Sequence, residues 1–351
     1  NWLSSSSIWE STYRYNYTYN SNGKRTEYIR YEWNTTSNTF VGNYRENYAY
    51  DANNNQIEVA YFNWNTSTNV WVPTTKYNYT YNAANQQTQE LRQTWNTGSS
   101  LWVNGSKSDF VYDASGNLTS ITDQNWSSAQ WNNSSRLLYV YDVNNLRTEY
   151  VQQNWNSGSS AWDNSSRYTY TYNSNKLKET ETSYQWITGA WATISRSTYT
   201  YNGAGKEVEY LYQLYNSGTM SFVNSGKSTK IYNTDNLITQ SLYQNWSPGT
   251  STWVDDYKTT YSYNADGNMV NYLEQEWNTG TNSWVNNQGS IRTYSPNGDL
   301  FSFESFSNWN NTANYYNTRY IEEYRCTSIN VGIQEVDAAA MLKVYPNPVN
   351  G

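Results

Sequence analysis

The sequence predicts an all-β fold, an antiparallel β-meander of about eleven two-strand units near 31 residues each, in an elongated or spiral, solenoid-like sheet. Three observations predict it: periodicity, alternation and composition. Aromatic residues recur as Trp2, Trp33, Trp64, Trp95, Trp126, Trp155, Trp186, Tyr215, Trp246, Trp277 and Trp309, in steps of 31 residues with two steps of 29 and a last step of 32. A second series runs Trp9, Phe40, Trp71, Trp102, Trp131, Trp162, Trp191, Phe222, Trp253, Trp284 and Tyr315, seven residues behind the first in most units and five behind at Trp131. Self-similarity at a fixed period of this length marks a repeat array. Within a unit, Thr and Tyr alternate with period 2, which is a strand pattern rather than a helical one. The composition agrees, with 38 Tyr and 18 Trp in 351 residues and sparse Leu, Ile and Val. Such a chain lacks an aliphatic core and favours sheets held by amphipathic rings.

Each unit divides into strand, turn, strand and turn. The first strand starts at the second aromatic, as in Trp162-Asp163-Asn164-Ser165-Ser166-Arg167-Tyr168-Thr169-Tyr170-Thr171-Tyr172. Strict alternation puts Trp162, Tyr168, Tyr170 and Tyr172 on one face and Arg167, Thr169 and Thr171 on the other. A turn rich in Asn, Asp and Gly follows, such as Asn173-Ser174-Asn175-Lys176 or Asp113-Ala114-Ser115-Gly116-Asn117. These residues tolerate positive φ and cap tight turns with their side chains. The second strand runs to the next Trp, as from Leu118 to Trp126, and a loop such as Asn96-Thr97-Gly98-Ser99-Ser100 closes the unit. Both connections are too short for a parallel crossover, so neighbouring strands are antiparallel. The 29-residue steps remove two residues, an even deletion that keeps every later side chain on its face.

Two sets of positions recur. The aromatic stripe comprises Trp33, Trp64, Trp71, Trp95, Trp102, Trp126, Trp131, Trp155, Trp162, Trp186, Trp191, Trp246, Trp253, Trp277 and Trp284, whose members flank each loop and can pair across it. Five residues after the second aromatic stands a cation: Arg14, Arg45, Lys76, Lys107, Arg136, Arg167, Arg196, Lys227 and Lys258, with lapses at Gly289 and Tyr320. Six residues before the first aromatic there is often an acid, as at Glu27, Glu58, Glu149 and Glu209. These charges should lie nearly opposite one another and form a ladder on the face away from the Trp stripe, selecting register. The Trp residues are either the core of the repeat or a surface on which sugar rings stack.

The composition excludes much chemistry. There is no His and one Cys, so neither a His-based triad, an imidazole metal ligand nor a disulfide framework is available. A net charge of −7 with 15% charged residues leaves no basic surface for nucleic acid. Asp255-Asp256 is the nearest approach to a carboxylate pair and reads as solvated. The turns at Asp113 and Asn264 resemble calcium loops loosely, without the downstream bidentate acid. No enzymatic activity, metal or cofactor is expected.

The domain plan is a repeat array over residues 1–326, a linker over 327–341 and a distinct closing segment over 342–351. Asn1-Trp2 starts on the repeat pattern with no apolar leader, and the first unit reads as an interior unit, so further chain or another subunit is expected before it. Cys326 is expected free and partly buried at the end of the array. The closing Val344-Tyr345-Pro346-Asn347-Pro348 with Asn350-Gly351 resembles the opening of the C-terminal sorting domain of type IX (Por) secretion cargo. That resemblance, carried by Tyr345, Pro346, Asn347, Pro348 and Gly351, implies export across the outer membrane and an extracellular or cell-surface location, with the secretion machinery as a partner. The turns at Tyr112-Asp113, Tyr263-Asn264 and Tyr294 to Leu300 are similar to the YD repeats of RHS-type proteins, which implies a shell or stalk. The unit here is longer, and its Trp hairpin is not part of that pattern. The expected function is a structural or adhesive surface repeat protein that self-associates into a fibre; the alternatives are a lectin-like module for extracellular polysaccharide and a YD-like shell or stalk segment.

Overall fold

The computed structural model describes residues 2–3, 8–9, 12–296, 300–310 and 315–323. Cys326, the linker 327–341 and the sorting motif Tyr345, Pro346, Asn347, Pro348 and Gly351 lie outside the described residues. The described chain is all-β and contains no helix, so none is long and apolar enough to cross a membrane.

Twelve-residue strands such as Val70–Tyr81 alternate with ten-residue strands such as Gln87–Asn96. The chain divides into two compact units, Asn1–Thr169 with Gln185–Ala192, and Tyr170–Tyr184 with Thr193–Gly351. In the first, consecutive strands from Tyr13–Tyr19 onward pair antiparallel. A short hairpin places Trp2 opposite Trp9. In the second, the same meander runs from Ser195 to Glu323. The repeat pattern read from the sequence is the architecture.

Each connection has its own chemistry. At one end, the Asn or Asp that opens the turn folds it around its own side chain. Asp113 Oδ1 accepts the amides of Ser115 and Asn117, both at 2.9 Å, and the amide of Gly116 donates to the Asp113 carbonyl at 3.0 Å. The fourth turn residue takes the left-handed region, with φ 85° at Gly116 and 63° at Lys176. Adjacent turns are stitched by amides, as where Asn117 Nδ2 donates to Asn145 Oδ1 at 2.9 Å. At the other end, Asn96 Oδ1 caps a four-residue loop by accepting from Gly98 and Ser99. The two 29-residue steps fall in this loop. Ser128-Ala129 and Thr188-Gly189 are two-residue turns with both φ values positive (52° and 59°, 48° and 86°), the geometry that matches strand twist. An even deletion thus removes loop and leaves both strands intact.

The long strands whose loop-side register is described carry a β-bulge three residues after the aromatic. Tyr61 faces Thr75 and Phe62 faces Pro73, so Thr74 is the extra residue; Ser134, Ser165, Ser225, Asp256 and Asn287 repeat it. An extra residue in one strand reverses which face later side chains occupy.

The described residues enclose almost no interior. Among the described residues the buried hydrophobic ones are Val59 (2% exposed) and Ala60 (5%), and no large side chain is fully buried. Side chains instead cover their neighbours along the sheet. The closing tyrosine of each long strand donates to a carbonyl at the start of the preceding short strand: Tyr50 to Arg25, Tyr81 to Gln56, Tyr112 to Gln87 and Tyr263 to Ile238, at 2.8–2.9 Å.

Candidate binding faces

The bulge overturns one expectation. The cations Arg14, Lys76, Lys107, Arg136, Arg196, Lys227 and Lys258 do not lie opposite the aromatic stripe; they share its face. Counting alternation straight through Trp71 to Lys76 puts the two on opposite faces, and the extra Thr74 between them brings them together. Lys76 Nζ sits 5.2 Å over the ring of Trp102, Lys107 5.4 Å over Trp131 and Lys258 4.4 Å over Trp284. Arg136 lies 4.7 Å over Trp162 and Lys227 4.8 Å over Trp253. Where Phe replaces Trp the contact persists, with Arg14 over Phe40 at 5.1 Å and Arg196 over Phe222 at 4.2 Å. Arg45 lies over Phe62 instead, at 5.5 Å. For the same reason Trp162 and Tyr168 occupy opposite faces.

On this first face the loop-flanking aromatics pair directly across the hairpin, edge to face. The ring centroids are 4.9–5.3 Å apart at angles of 65–72° in Trp33–Phe40, Trp64–Trp71, Trp95–Trp102, Trp126–Trp131, Trp155–Trp162, Trp186–Trp191, Tyr215–Phe222, Trp246–Trp253 and Trp277–Trp284. Such pairs add about 0.5–1.5 kcal/mol beyond burial. Next to them runs an amide row: Gln93 to Asn104, Gln153 to Asn164 and Gln275 to Asn286, at 2.8–2.9 Å. Arg136 donates to Gln153 Oε1 at 2.6 Å, which links one strand pair to the next. The expected ion pairs form at Arg45–Glu27 (2.8 Å), Lys76–Glu58 (3.4 Å) and Arg167–Glu149 (2.6 Å); Lys107 uses Asp109 at 3.1 Å. They are half-exposed, and each contributes about 0–1 kcal/mol. At Gly42 the Trp64–Trp71 pair closes over the backbone, and Trp64 Nε1 is buried there without a hydrogen-bond partner.

The second face is tyrosine. Tyr139 stacks on Tyr150 at 5.5 Å, Tyr150 meets Tyr168 at 5.6 Å, and Tyr243 stacks on Tyr257 at 5.0 Å. Burial pushes the phenols of Tyr139, Tyr150, Tyr210 and Tyr243 up. Around Glu46 the face becomes charged: the carboxylate accepts from Tyr44 at 3.0 Å and from Tyr48, and pairs with Arg25 at 3.3 Å. Desolvation, followed by these bonds, raises both tyrosines.

The acid candidates separate. Asp255 faces the amide row and accepts from Gln244 at 2.8 Å, whereas Asp256 is a bulge residue accepting from Asn245 at 2.9 Å. Both are half-buried and hydrogen-bonded rather than solvated, and they do not converge. Asp256, Glu274 and Glu276 line a shallow cleft of about 330 Å³, where Glu274 already accepts from Tyr272 and Asn287. The carboxylate of Asp113 is held below its ordinary range by the Asn117 side chain and serves its own turn. Among the described residues no group of three or more acids and cysteines is placed to hold a metal.

Comparison with known proteins finds a family model, a family of unknown function (DUF3836), matching residues 2–74. Among solved structures, a DUF3836 family protein from Bacteroides vulgatus is similar at 23% identity, covering 27% of this chain and 91% of that one, with a TM-score of 0.22. A porin-like protein from Bacteroides uniformis is similar at 13% identity over 69% of this chain and 91% of that one, with a TM-score of 0.29. The TcdB2-TccC3-TEV structure is 13% identical over 90% of this chain, which spans 17% of that chain, with a TM-score of 0.39. No curated protein matches the chain.

Proposed function

We propose that the chain is a structural, adhesive repeat protein of the cell surface that acts by assembly rather than by turnover. The observation that carries this reading is the sealed Trp face. Each indole pair is closed edge to face, and in most units the second ring is capped by a cation from the preceding unit, so the rings bind their own neighbours. Repetition without a singular constellation suits a scaffold.

Self-association is supported by the strand Tyr13–Tyr19. It pairs with Arg25–Asn34, and all seven of its residues are exposed, including Tyr13, Tyr15, Tyr17 and Tyr19 at 44–57%. Their equivalents Tyr77 and Tyr79 are half-buried. A strand of this composition is a template for pairing with a second copy. Sedimentation across a concentration series, with electron microscopy of the same samples, tests it. Concentration-dependent growth into filaments is the expected result, and a compact monomer at every concentration would overturn the reading.

Export by a type IX route belongs to the same proposal and rests on the resemblance of Tyr345-Pro346-Asn347-Pro348. Fractionation of cells with the route intact and disabled tests it: the protein should move from surface and medium to the periplasm.

A further inference from the structure

We propose that the cleft between Tyr44, Tyr61, Tyr77 and Tyr79 binds one pyranose ring of a neutral polysaccharide. This deepens the adhesive half of the function proposed above by giving it a ligand.

The cleft arises from a step in side-chain size. Four residues after the second aromatic, the chain has Tyr44 in one unit and Thr75 in the next. Thr75 lies directly opposite Tyr61, so a small residue stands beside a large ring. A shallow cleft of about 370 Å³ results, walled by four tyrosines and floored by Thr74 and Thr75. The walls turn a corner: Tyr44 and Tyr61 stack at 28° and 6.1 Å, whereas Tyr61 and Tyr77 stand at 89° and 6.1 Å. One ring can therefore meet the flat face of a sugar while another meets its edge.

The step at Thr75 and the corner between its walls set this cleft apart, and several of its hydroxyl groups are open to a ligand. Tyr50 and Tyr81 donate to backbone carbonyls, and Tyr44 donates to Glu46. The side-chain hydroxyls of Tyr61, Thr75, Tyr77 and Tyr79 make no hydrogen bond within the described chain. Sugar hydroxyls can therefore pair with these four groups in place of solvent without leaving a donor unpaired. Aromatic walls with a few convergent polar groups are the common build of a small-molecule site.

The charge pattern selects a neutral ligand. None of the six lining residues is charged. Glu46 beside them is matched by Arg25, Tyr44 and Tyr48, while Glu90 stands opposite Tyr79 and opposes an incoming carboxylate. Burial pushes the Tyr79 phenol up to about 12, so it stays a hydrogen-bond donor in neutral water.

The test uses the full chain with cellohexaose, laminarihexaose, maltohexaose and trigalacturonate, read by saturation-transfer NMR and titration calorimetry. At least one neutral hexasaccharide should bind. Thr75→Trp fills the cleft from its floor and should weaken that binding roughly tenfold or more, and Tyr79→Phe should weaken it about threefold. Circular dichroism and thermal unfolding of both variants should match the parent, and Lys107→Met on the other face should leave binding unchanged. Absence of binding to every neutral hexasaccharide, preference for trigalacturonate, or full binding by Thr75→Trp and Tyr79→Phe would each overturn the proposal. Sedimentation of the same samples reports assembly separately, so failure of the assembly reading and failure of the cleft are distinguishable.

Discussion

The two faces of the sheet are built from the same kinds of residue and differ in how their rings are partnered. On the Trp face, an indole has an edge-to-face mate across the loop, with a cation over the second ring and an amide row beside the pair, and the arrangement recurs from unit to unit. On the Tyr face, stacked, tilted and perpendicular contacts alternate, and some hydroxyls are engaged while others are free. Uniform partnering is what an array needs to join one unit to the next. Variation from unit to unit is where such an array can acquire a particular ligand.

The largest effect that separates the faces should come from alkali. Burial holds Tyr61, Tyr139, Tyr150 and Tyr210 above their ordinary value, and Tyr79 and Tyr272 near 12. A phenol whose folded pKa is raised contributes stability in full below its unfolded value of 10.0 and loses it as pH rises through the folded value. Unfolding should therefore be cooperative between those limits, with phenolate absorbance and indole fluorescence changing together. Phenolate formation that is complete while the indole signal stays native would show that the Tyr face does not support the fold.

Glycine substitutions should come next. A Cβ at Gly42 would meet the rings of Trp64 and Trp71 at 2.8–2.9 Å, inside a pair that has nowhere to move. At Gly226 it would meet the hydroxyl end of Tyr243, which can swing aside. Gly42→Ala should cost about 1–3 kcal/mol and Gly226→Ala less than about 1 kcal/mol in denaturant unfolding. Equal costs would remove the distinction between a fixed and an adaptable face.

Ring deletion should follow the same order. Trp95→Ala should lose about 2 kcal/mol of stability, and Tyr77→Ala about half of that, since the first removes one member of a closed pair. Within the Tyr face, Tyr81→Phe should cost about 1 kcal/mol through its bond to the Gln56 carbonyl, whereas Tyr79→Phe, with no partner in the chain, should be silent in unfolding. The smallest effect expected is that of Lys258→Met, about 0.5–1 kcal/mol from the cation above Trp284, and it should persist in high salt better than a surface ion pair would.

Much of this was legible in the residues. The two aromatic series located the described loops from Asn34 to Ser283, and the 29-residue steps located the two short turns, because a sheet tolerates deletions only in pairs. The acids at Glu27, Glu58 and Glu149 were placed nearly opposite their cations by the pairing of the aromatics across the loop. What the alternation could not show was the bulge, since a strand with one extra residue reads as an ordinary strand. The signal was present in muted form: the position three after the aromatic holds Thr74, Ser134, Ser165, Ser225, Asp256 and Asn287, small or Asx residues in a chain full of both. Missing it reversed the face of cations such as Lys76, Lys107, Arg136, Lys227 and Lys258 and hid the contact that caps the indoles. The cleft at Thr75 was invisible for a different reason, because it depends on what lies across from Thr75 rather than on Thr75 itself.

The missing interior has a consequence for how such a chain can change length. A globular domain that gains residues must refill a closed volume, and each insertion disturbs packing around it. Here the buried hydrophobic residues among those described amount to Val59 and Ala60, and neighbouring strands are each other's environment. A copied unit brings its own pair, cation and turn, and asks nothing of distant parts of the chain. Duplication or loss of whole units by recombination is then nearly neutral for folding, so the number of repeats is free to change while each unit keeps its own contacts.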